Sequence, residues 1–587
     1  MIAAVAYLIV AGLSVTVAPI ANAAPVKAEV ELRFGEFAQL HKISDRHIAS
    51  FEKQAIHPAE ISTYAIKLHA QNQSAIDEAI LQRSDPAHEL YGQWLSLEDA
   101  HALTQSDPNG VKEVLEYLNM HGVASEAVTR SYGDRHMSFK ATKAQADAIF
   151  GADFAVYNVD GHARRGTSAI KIPKSLHKYV FTSVPGVGFG FSHTRKQGSK
   201  RKLDNEEAAH VKDLHKTMME DLAAQPPSHN NDPIAIQGQP VGVSMTGSLS
   251  QCWNYFLPAC VRAQYHLPAV TSPTTGTSIG TLNLQPNCAA NSDLLSAWEQ
   301  LFPNVYNSNA SYIPPYVLVP IDGVDPTGCS SSDTGEPDLD LQTVVPLTYP
   351  MKVIDFEAPD ASDESLYGAV SAMGSNGIPK VDVLSVSYGG DESFYVNYFE
   401  SNDTAAQYLV AQCQTTDAIV ASGTTLLASS GDSGAQNIEF PALCPYWVAV
   451  GATDLNINAG VTAPSYAEQE NDGWGYSGSG GFSTLGPPFN AAPSWQQSAV
   501  ASYSTHYKDY LYKSLQNAAA TPDVSAMGRN YIIVTGGDVY QYGGTSLSSP
   551  MFASLLAMIN SHRVQNGVGL LGFPLPAFYA NPTLFRD

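Results

Sequence analysis

Gly543-Gly544-Thr545-Ser546-Leu547-Ser548-Ser549-Pro550, running on into Met551-Phe552-Ala553-Ser554-Leu555-Leu556, is the most specific stretch of this 587-residue chain. Its glycines let backbone approach a substrate closely, Pro550 suits the first turn of a helix, and the apolar residues behind it predict that the helix is buried. Ser546 is thereby expected just ahead of a buried helix amino end, where the helix dipole favours developing negative charge. A capped core helix with an idle serine would read the same way, so the segment needs company.

A serine nucleophile needs a base, and no His-Gly-Thr-His segment of the usual kind exists in the chain. The chain offers Glu336-Pro337-Asp338-Leu339-Asp340-Leu341-Gln342 instead. Pro337 can open a helix, and the i to i+4 spacing of Glu336 and Asp340 puts both carboxyls on one face. Two carboxyls that close resist ionising together, so one is held protonated and the pair can hold and pass a proton. On its own this is also how an acidic, solvated helix start looks. A third piece, Ser429-Ser430-Gly431-Asp432-Ser433-Gly434, follows a candidate strand at Thr425 to Ala428, the place where α/β sheets carry functional loops, though a plain tight turn has the same composition.

The three segments together resemble the sedolisin (serine-carboxyl peptidase) family, relatives of subtilisin that work in acid. SVSYGG at 385–390, CPYWVAVGAT at 444–453, SGGFS at 479–483 and PDVSA at 522–526 agree in kind and order. His88-Glu89-Leu90-Tyr91-Gly92-Gln93-Trp94-Leu95-Ser96 resembles the pro-kumamolisin type activation domain of that family. The resemblance implies a subtilisin-like, mostly parallel α/β sheet flanked by helices, preceded by an α+β, ferredoxin-like prodomain. It implies Ser546 as nucleophile, Glu336 as its general base, Asp340 as the carboxyl supporting Glu336, and Asp432 as the oxyanion-hole donor. Ser387, Tyr388 and Gly389, with Gly480 and Gly481, would line the substrate cleft and pair with substrate backbone as an added strand. The chemistry is consistent with acid: a histidine near its ordinary pKa of about 6.5 is protonated at pH 4, whereas a glutamate near about 4.3 remains poised. An aspartic acid can donate to an oxyanion only while protonated, so Asp432 is expected to titrate high. The family also implies a calcium site begun by an Asp about forty residues after the nucleophile. Asp587 stands there and is the last residue, so a shell of roughly six oxygens cannot be completed from this sequence, and a fragment is expected rather than a chain that lacks the site.

Length and composition fit this organisation. The first 24 residues carry no charged side chain and end in Ala21-Asn22-Ala23, which predicts a signal peptide over 1–24; the apolar run is broken by Ser14, Thr16 and Pro19, too short for a bilayer span. Residues 25–195 read as a compact inhibitory prodomain with helix starts at Ser96-Leu97-Glu98-Asp99 and Thr142-Lys143-Ala144-Gln145 and an apolar helical face at Val111, Val114, Leu115 and Leu118. Residues 196–235 are charged and turn-rich, without a strand pattern, and predict an exposed processing linker whose Lys200-Arg201-Lys202 leaves cleavage by a dibasic-specific protease open beside self-cleavage. From 236 to 587 short apolar runs (Val381 to Val386, Thr425 to Ala428, Trp447 to Val450, Tyr531 to Val534) alternate with helical stretches (Ser365 to Met373, Ala405 to Cys413), which predicts a mostly parallel sheet.

Charge is split unevenly. Residues 1–216 hold 24 basic and 24 acidic side chains; residues 217–587 hold 8 and 32, a deficit that accounts for the whole net charge of −24. An acidic surface relaxes as carboxylates protonate, in keeping with work in acid, and it argues against nucleic acid as partner. All six cysteines (Cys252, Cys260, Cys288, Cys329, Cys413, Cys444) lie in the acidic part, and an even number behind a signal peptide predicts disulfides, with Cys252 and Cys260 as the first pair and the others open. Sequons at Asn72, Asn309 and Asn402 are no more than chance supplies in a chain this long. The expected partners are protein or peptide substrates and the chain's own prodomain, with no nucleic acid and no membrane; a secreted monomer, extracellular or in an acidic vacuole- or lysosome-like compartment, is expected. Two rivals stand beside the peptidase: an inactive secreted relative acting as a binding protein, and a pepsin-like aspartic protease using Asp333-Thr334-Gly335 and Asp432-Ser433-Gly434. The pepsin-like reading leaves GGTSLSSP without a purpose and demands a nearly all-β fold.

Overall fold

The computed structural model describes residues 23–131, 133–159, 162–184, 200–224, 247–252, 254–265, 267, 276–285, 287–301, 316–321, 324, 334–455, 464–465, 477–507 and 517–585. Almost all of the expected signal peptide, Asn309, Cys329, Asp333 and Asp587 lie outside the described residues.

The carboxyl-terminal body is built on one sheet. Its strands run in the order 316–320, 352–358, 278–284, 383–386, 425–429 and 447–455, with 524–527 also paired to 447–455, and every one of these pairings is parallel; only the short 464–465 joins antiparallel. The central strands 383–386 and 425–429 are buried at every position and mostly apolar, in keeping with parallel strands covered on both faces. Helices Asp363–Ala372 and Asn402–Gln414 answer to the two expected helical stretches, the first ending one residue before Met373, and each is opened by a serine side-chain cap. Helix Thr545–Gln565 packs on the middle of the sheet and on helix Gly335–Thr348; it buries Leu547, Met551, Ala553 and Leu556, and truncating such a leucine costs about 2–5 kcal/mol. This sheet is incompatible with a pepsin-like fold.

Tyr531–Thr535 is a strand, as expected, but it stands outside the parallel sheet. It pairs antiparallel with Asp538–Tyr542 through a Gly536-Gly537 turn in which both glycines have positive φ, the conformation that a two-residue hairpin loop requires. The third strand of that small sheet is Lys200–Lys202, bonded to Tyr540–Tyr542. The segment expected to be a linker without strands thus carries this strand, exposed at all three positions, and helix Asn205–Ala224 follows it; 196–199 and 225–235 lie outside the described residues. The helix buries Val211, Leu214 and Met218, spaced i, i+3 and i+7, against the 247–251 turn and helices Pro258–Gln264 and Asn291–Leu301. The charges of 206–216 lie off this stripe on the helix and, with those of 200–202 on the strand before it, mask the stripe in composition.

The amino-terminal body is an α+β unit whose four-stranded sheet runs Thr129–Ser131, His136–Thr142, Ile61–Leu68, Val180–Val184, all antiparallel. The Thr142 capping box is complete, with Gln145 returning to the Thr142 N–H; Ser96 caps its helix through the Asp99 N–H; Val111, Val114 and Leu118 are buried as the periodicity predicts. The two bodies touch through the HELYGQWLS segment: Trp94 Nε1 donates to the Leu570 carbonyl at 3.0 Å and Leu95 N to the Ala421 carbonyl at 3.1 Å. Further bonds run from Gln73 Nε2 to Asp417 (2.7 Å), from Tyr446 Oη to Asp77 (2.6 Å) and from Arg135 Nη1 to the Gln414 carbonyl (2.9 Å). Cys252–Cys260 is a disulfide as expected, Cys413–Cys444 is a second, and Cys288 is also disulfide-bonded. No described helix is long and apolar enough to cross a membrane.

Candidate active site

The carboxyl ends of strands 383–386 and 425–429 face the amino ends of helices 335–348 and 545–565, and there the separate sequence segments meet. Glu336 and Asp340 lie one turn apart on the first helix; Asp340 is fully buried. Helix 335–348 is anchored by Gln342, whose side chain donates to the Val534 carbonyl (2.6 Å) and accepts from the Val534 N–H (2.8 Å), so the hairpin strand fixes its position. At its start a Cβ on Gly335 would collide with the Tyr542 hydroxyl, which brings the helix end close against the hairpin.

Ser546 is 3 % exposed, as is Asp432, so both are sheltered. The helix begins at Thr545, so Ser546 lies within its first turn and Pro550 inside it, five residues further along than expected. Proline has no N–H to give to the carbonyl four residues back, so the Ser546 carbonyl lacks its helical partner. It takes a side-chain hydroxyl instead: Ser387 Oγ lies 3.3 Å from the Ser546 carbonyl and donates to Asp340 Oδ1 at 2.8 Å. Asp432 sits across from them. Its Oδ1 accepts from both the Thr545 N–H (2.8 Å) and Thr545 Oγ1 (2.9 Å), and the Gly431 N–H donates to Thr545 Oγ1 (3.1 Å). Gly431 has φ +103°, and a Cβ there would collide with the Glu439 carboxyl, so the turn that aims Asp432 requires glycine.

Of the expected cleft residues, Ser387 is fully buried and its side chain is committed to Asp340 and Ser546, so only its backbone can reach a substrate. Tyr388 is buried too, and burial together with the nearby charges of Glu336, Asp340 and Glu357 pushes its phenol well above the usual tyrosine range. Gly389 packs on strand 439–440, where a Cβ would come within 2.5 Å of the Phe440 carbonyl. Gly480 and Gly481 belong to strand Ser477–Phe482, which lies between 433–435 and 520–521; the Gly480 carbonyl accepts from the Gln436 N–H (2.7 Å), and the neighbouring Ser479 N–H donates to the Gly431 carbonyl (2.7 Å). Ser479, beside these glycines, braces the Asp432 loop, since its carbonyl also accepts from Ser430 Oγ (2.8 Å) and its hydroxyl from the Ser433 N–H (2.8 Å). Thr545 and the orphaned Ser546 carbonyl are the parts that sequence reading missed; Pro550, four residues after Ser546, was the signal for the second.

Beneath helix 335–348 lies a set of buried acids. Asp355 and Glu357 share a face of strand 352–358 with Thr281 and Asn283, both of which donate to Asp355 Oδ1 at 2.7 Å. Burial pushes both carboxyls up, Glu357 further because of its charged neighbour, and burial pushes Asp338 up to about 8. Among the described residues no group of His, Cys, Asp and Glu is placed to hold a metal ion, and Asp587 lies outside them.

Residues 49–189 match the family described as "Pro-kumamolisin, activation domain", and residues 348–568 match the Subtilase family. Among curated proteins the chain is similar to tripeptidyl-peptidase sed1 of Aspergillus fumigatus (24 % identical, 91 % of this chain and 87 % of that one) and to aorsin of Aspergillus oryzae (25 %, 93 % and 90 %). It is also similar to rat tripeptidyl-peptidase 1 (27 %, 89 % and 83 %). Among solved structures a Pseudomonas sedolisin complexed with pseudo-iodotyrostatin overlaps 56 % of this chain and 86 % of that one at 23 % identity and a TM-score of 0.42. With the activation-domain match in front and the subtilase match behind, the chain belongs to the subtilase/sedolisin family of serine-carboxyl peptidases and carries a pro-kumamolisin-type activation domain.

Proposed function

We propose that Ser546, Glu336, Asp340 and Asp432 are the catalytic groups of a peptidase that works in acid and is made as a self-inhibited zymogen. Ser546 Oγ attacks the peptide carbonyl while Glu336 takes its proton, and Asp340 shares the charge on Glu336. Asp432 then serves as a protonated acid. Its Oδ1 accepts twice from Thr545, which suits the carbonyl-type oxygen and leaves the proton for Oδ2, the oxygen that would donate to the tetrahedral oxyanion. Glu336 returns its proton to the leaving amine, and water repeats the sequence on the acyl-enzyme. The observation that carries this reading is the convergence of distant segments: Asp340 and Ser546 are joined through Ser387, and Asp432 is bonded to the residue beside Ser546.

The test is hydrolysis of casein and of one long peptide at pH 4 by the acid-treated chain. Ser546→Ala should abolish it, and activity should vanish on raising the pH because an ionised Asp432 repels the intermediate. An optimum at pH 8, or activity surviving Ser546→Ala, overturns the reading. Mass spectra of the peptide products decide between cuts within the chain and removal of tripeptides, the activity for which several relatives are named.

The same reading takes 1–24 as a signal peptide, 25–195 as a ferredoxin-like inhibitory domain, a cut within 196–235, and 236–587 as the peptidase domain. The sheet order in the amino-terminal body, with its helices between the first and second and between the third and fourth strands, supports the ferredoxin-like assignment. Ser387, Tyr388, Gly389, Gly480 and Gly481 are assigned to the cleft by backbone rather than side chain. Secretion, or residence in an acidic compartment, fits the disulfides. Calcium enters as a family expectation on Asp587, and no step above runs through it.

A further inference from the structure

Ser387 belongs to a strand end, yet its side chain faces inward, fully buried, between the two helices that carry the proposed catalytic groups. Its single hydroxyl proton has two acceptors within reach: Asp340 Oδ1 at 2.8 Å and the Ser546 carbonyl at 3.3 Å, the latter deprived of its helical donor by Pro550. With Asp340 ionised, the hydroxyl donates to the carboxylate. With a proton on that oxygen, the hydroxyl accepts from Asp340 and turns its own proton to the Ser546 carbonyl. Both states are satisfied, and the change from one to the other moves a hydrogen bond onto the peptide unit of the nucleophile.

We propose that Ser387 is a positioning residue that senses the proton on Asp340 and ties the carboxyl pair to the nucleophile's own backbone. The inference rests on the peptidase reading above and deepens it. A donor to Asp340 favours the ionised form of the pair, so removing it makes the pair easier to protonate. Among the described residues Tyr388, which follows Ser387, faces both carboxyls, and Glu357 of strand 352–358, itself beside Asp355, lies against Tyr388. Tyr388 is un-ionised in acid, and burial keeps protons on the two strand carboxyls there, so they are silent in the range in which Glu336 titrates.

The experiment is the pH profile of kcat/KM on a peptide substrate for the acid-treated full chain and its variants, with Tm measured beside it. Ser387→Ala should raise the acid limb by about one pH unit and lower kcat about tenfold, the size expected for one hydrogen bond to a charged group. Ser387→Thr, which keeps a hydroxyl, should retain the parent limb. An alanine variant whose acid limb superimposes on the parent's, with or without a lower kcat or Tm, overturns the inference, as does a threonine variant that shifts like alanine. Should the alanine variant fail to fold, the cysteine variant decides: a thiol is a weaker donor and should raise the limb, and an unmoved limb counts against Ser387. A parent that is inactive in acid sinks the peptidase reading itself, which is a separate result.

Discussion

Thr545 fastens Asp432 from both its backbone and its hydroxyl, and that hydroxyl in turn receives the Gly431 N–H. Donation to Asp432 favours its ionised form, whereas the proposed mechanism needs the neutral acid, so the Oγ1 contact trades some of the working pH range for a fixed orientation. Thr545→Val preserves shape and deletes the hydroxyl. Its kcat should fall about tenfold while the alkaline limb moves up by less than one unit, since a weaker donor lets Asp432 hold its proton to higher pH; a limb moving down would contradict the assignment. Sequence alone pointed to Ser546, Glu336 and Asp340 because each sits in a segment whose residue types and spacing have a chemical reason, and to Asp432 through the family resemblance of its segment. It did not reveal Thr545 or the inward turn of Ser387, because a hydroxyl's partner is set by packing between helices that are far apart in the chain.

At the scale of elements, strands 383–386, 425–429 and 447–455 of the parallel sheet were legible because each is a buried run bounded by turn residues, whereas 278–284 and 352–358, whose Thr281, Asn283, Asp355 and Glu357 break the apolar pattern, and the edge strands 316–320 and 524–527 were not. Tyr531–Thr535 was legible as a strand but not as part of a hairpin, since the Gly536-Gly537 turn was not read as one. The helix Asn205–Ala224 was hidden because its apolar stripe is only one face wide within a charged stretch. Trp94 shows what an element-level contact does: its indole packs against Gly423 and Gly572, where any Cβ would clash, and bonds the Leu570 carbonyl. Trp94→Ala should weaken the hold of the amino-terminal body by about 2–4 kcal/mol, less than a fully buried tryptophan would give. Acid-triggered loss of that body, followed on gels, should then begin at higher pH; unchanged timing would show that the contact does not hold the two bodies together.

Across the whole molecule the two bodies answer pH in opposite senses. In the peptidase body burial raises Asp338 to about 8, and Asp363 and Asp523 to about 6. Carboxyls raised above their unfolded values contribute stability that is fully present below about pH 4 and is lost as pH rises through the folded values, so the window of loss runs from about 4 to 8. In the amino-terminal body His41, His69 and His136 are lowered to about 4, chiefly by burial. Histidines lowered in this way contribute stability present above about 6.5 and lost as pH falls towards 4. Melting curves should therefore show the processed enzyme at its most stable near pH 4, and the unprocessed Ser546→Ala chain losing its amino-terminal transition first on acidification. A processed enzyme that melts highest at pH 8 would refute the first half; an amino-terminal transition indifferent to pH would refute the second.

The strand Lys200–Lys202 and the helix after it are knitted into the peptidase body, by backbone pairing to 540–542 and by Val211 and Met218. A scissor acting upstream of residue 200 would release an enzyme still wearing this passenger as its leader, whereas one acting downstream of 224 would sever the passenger without dislodging it. Native and denaturing mass spectra of the same preparation would then disagree by the weight of one short peptide, and the first residue found by sequencing would not mark where the folded particle begins.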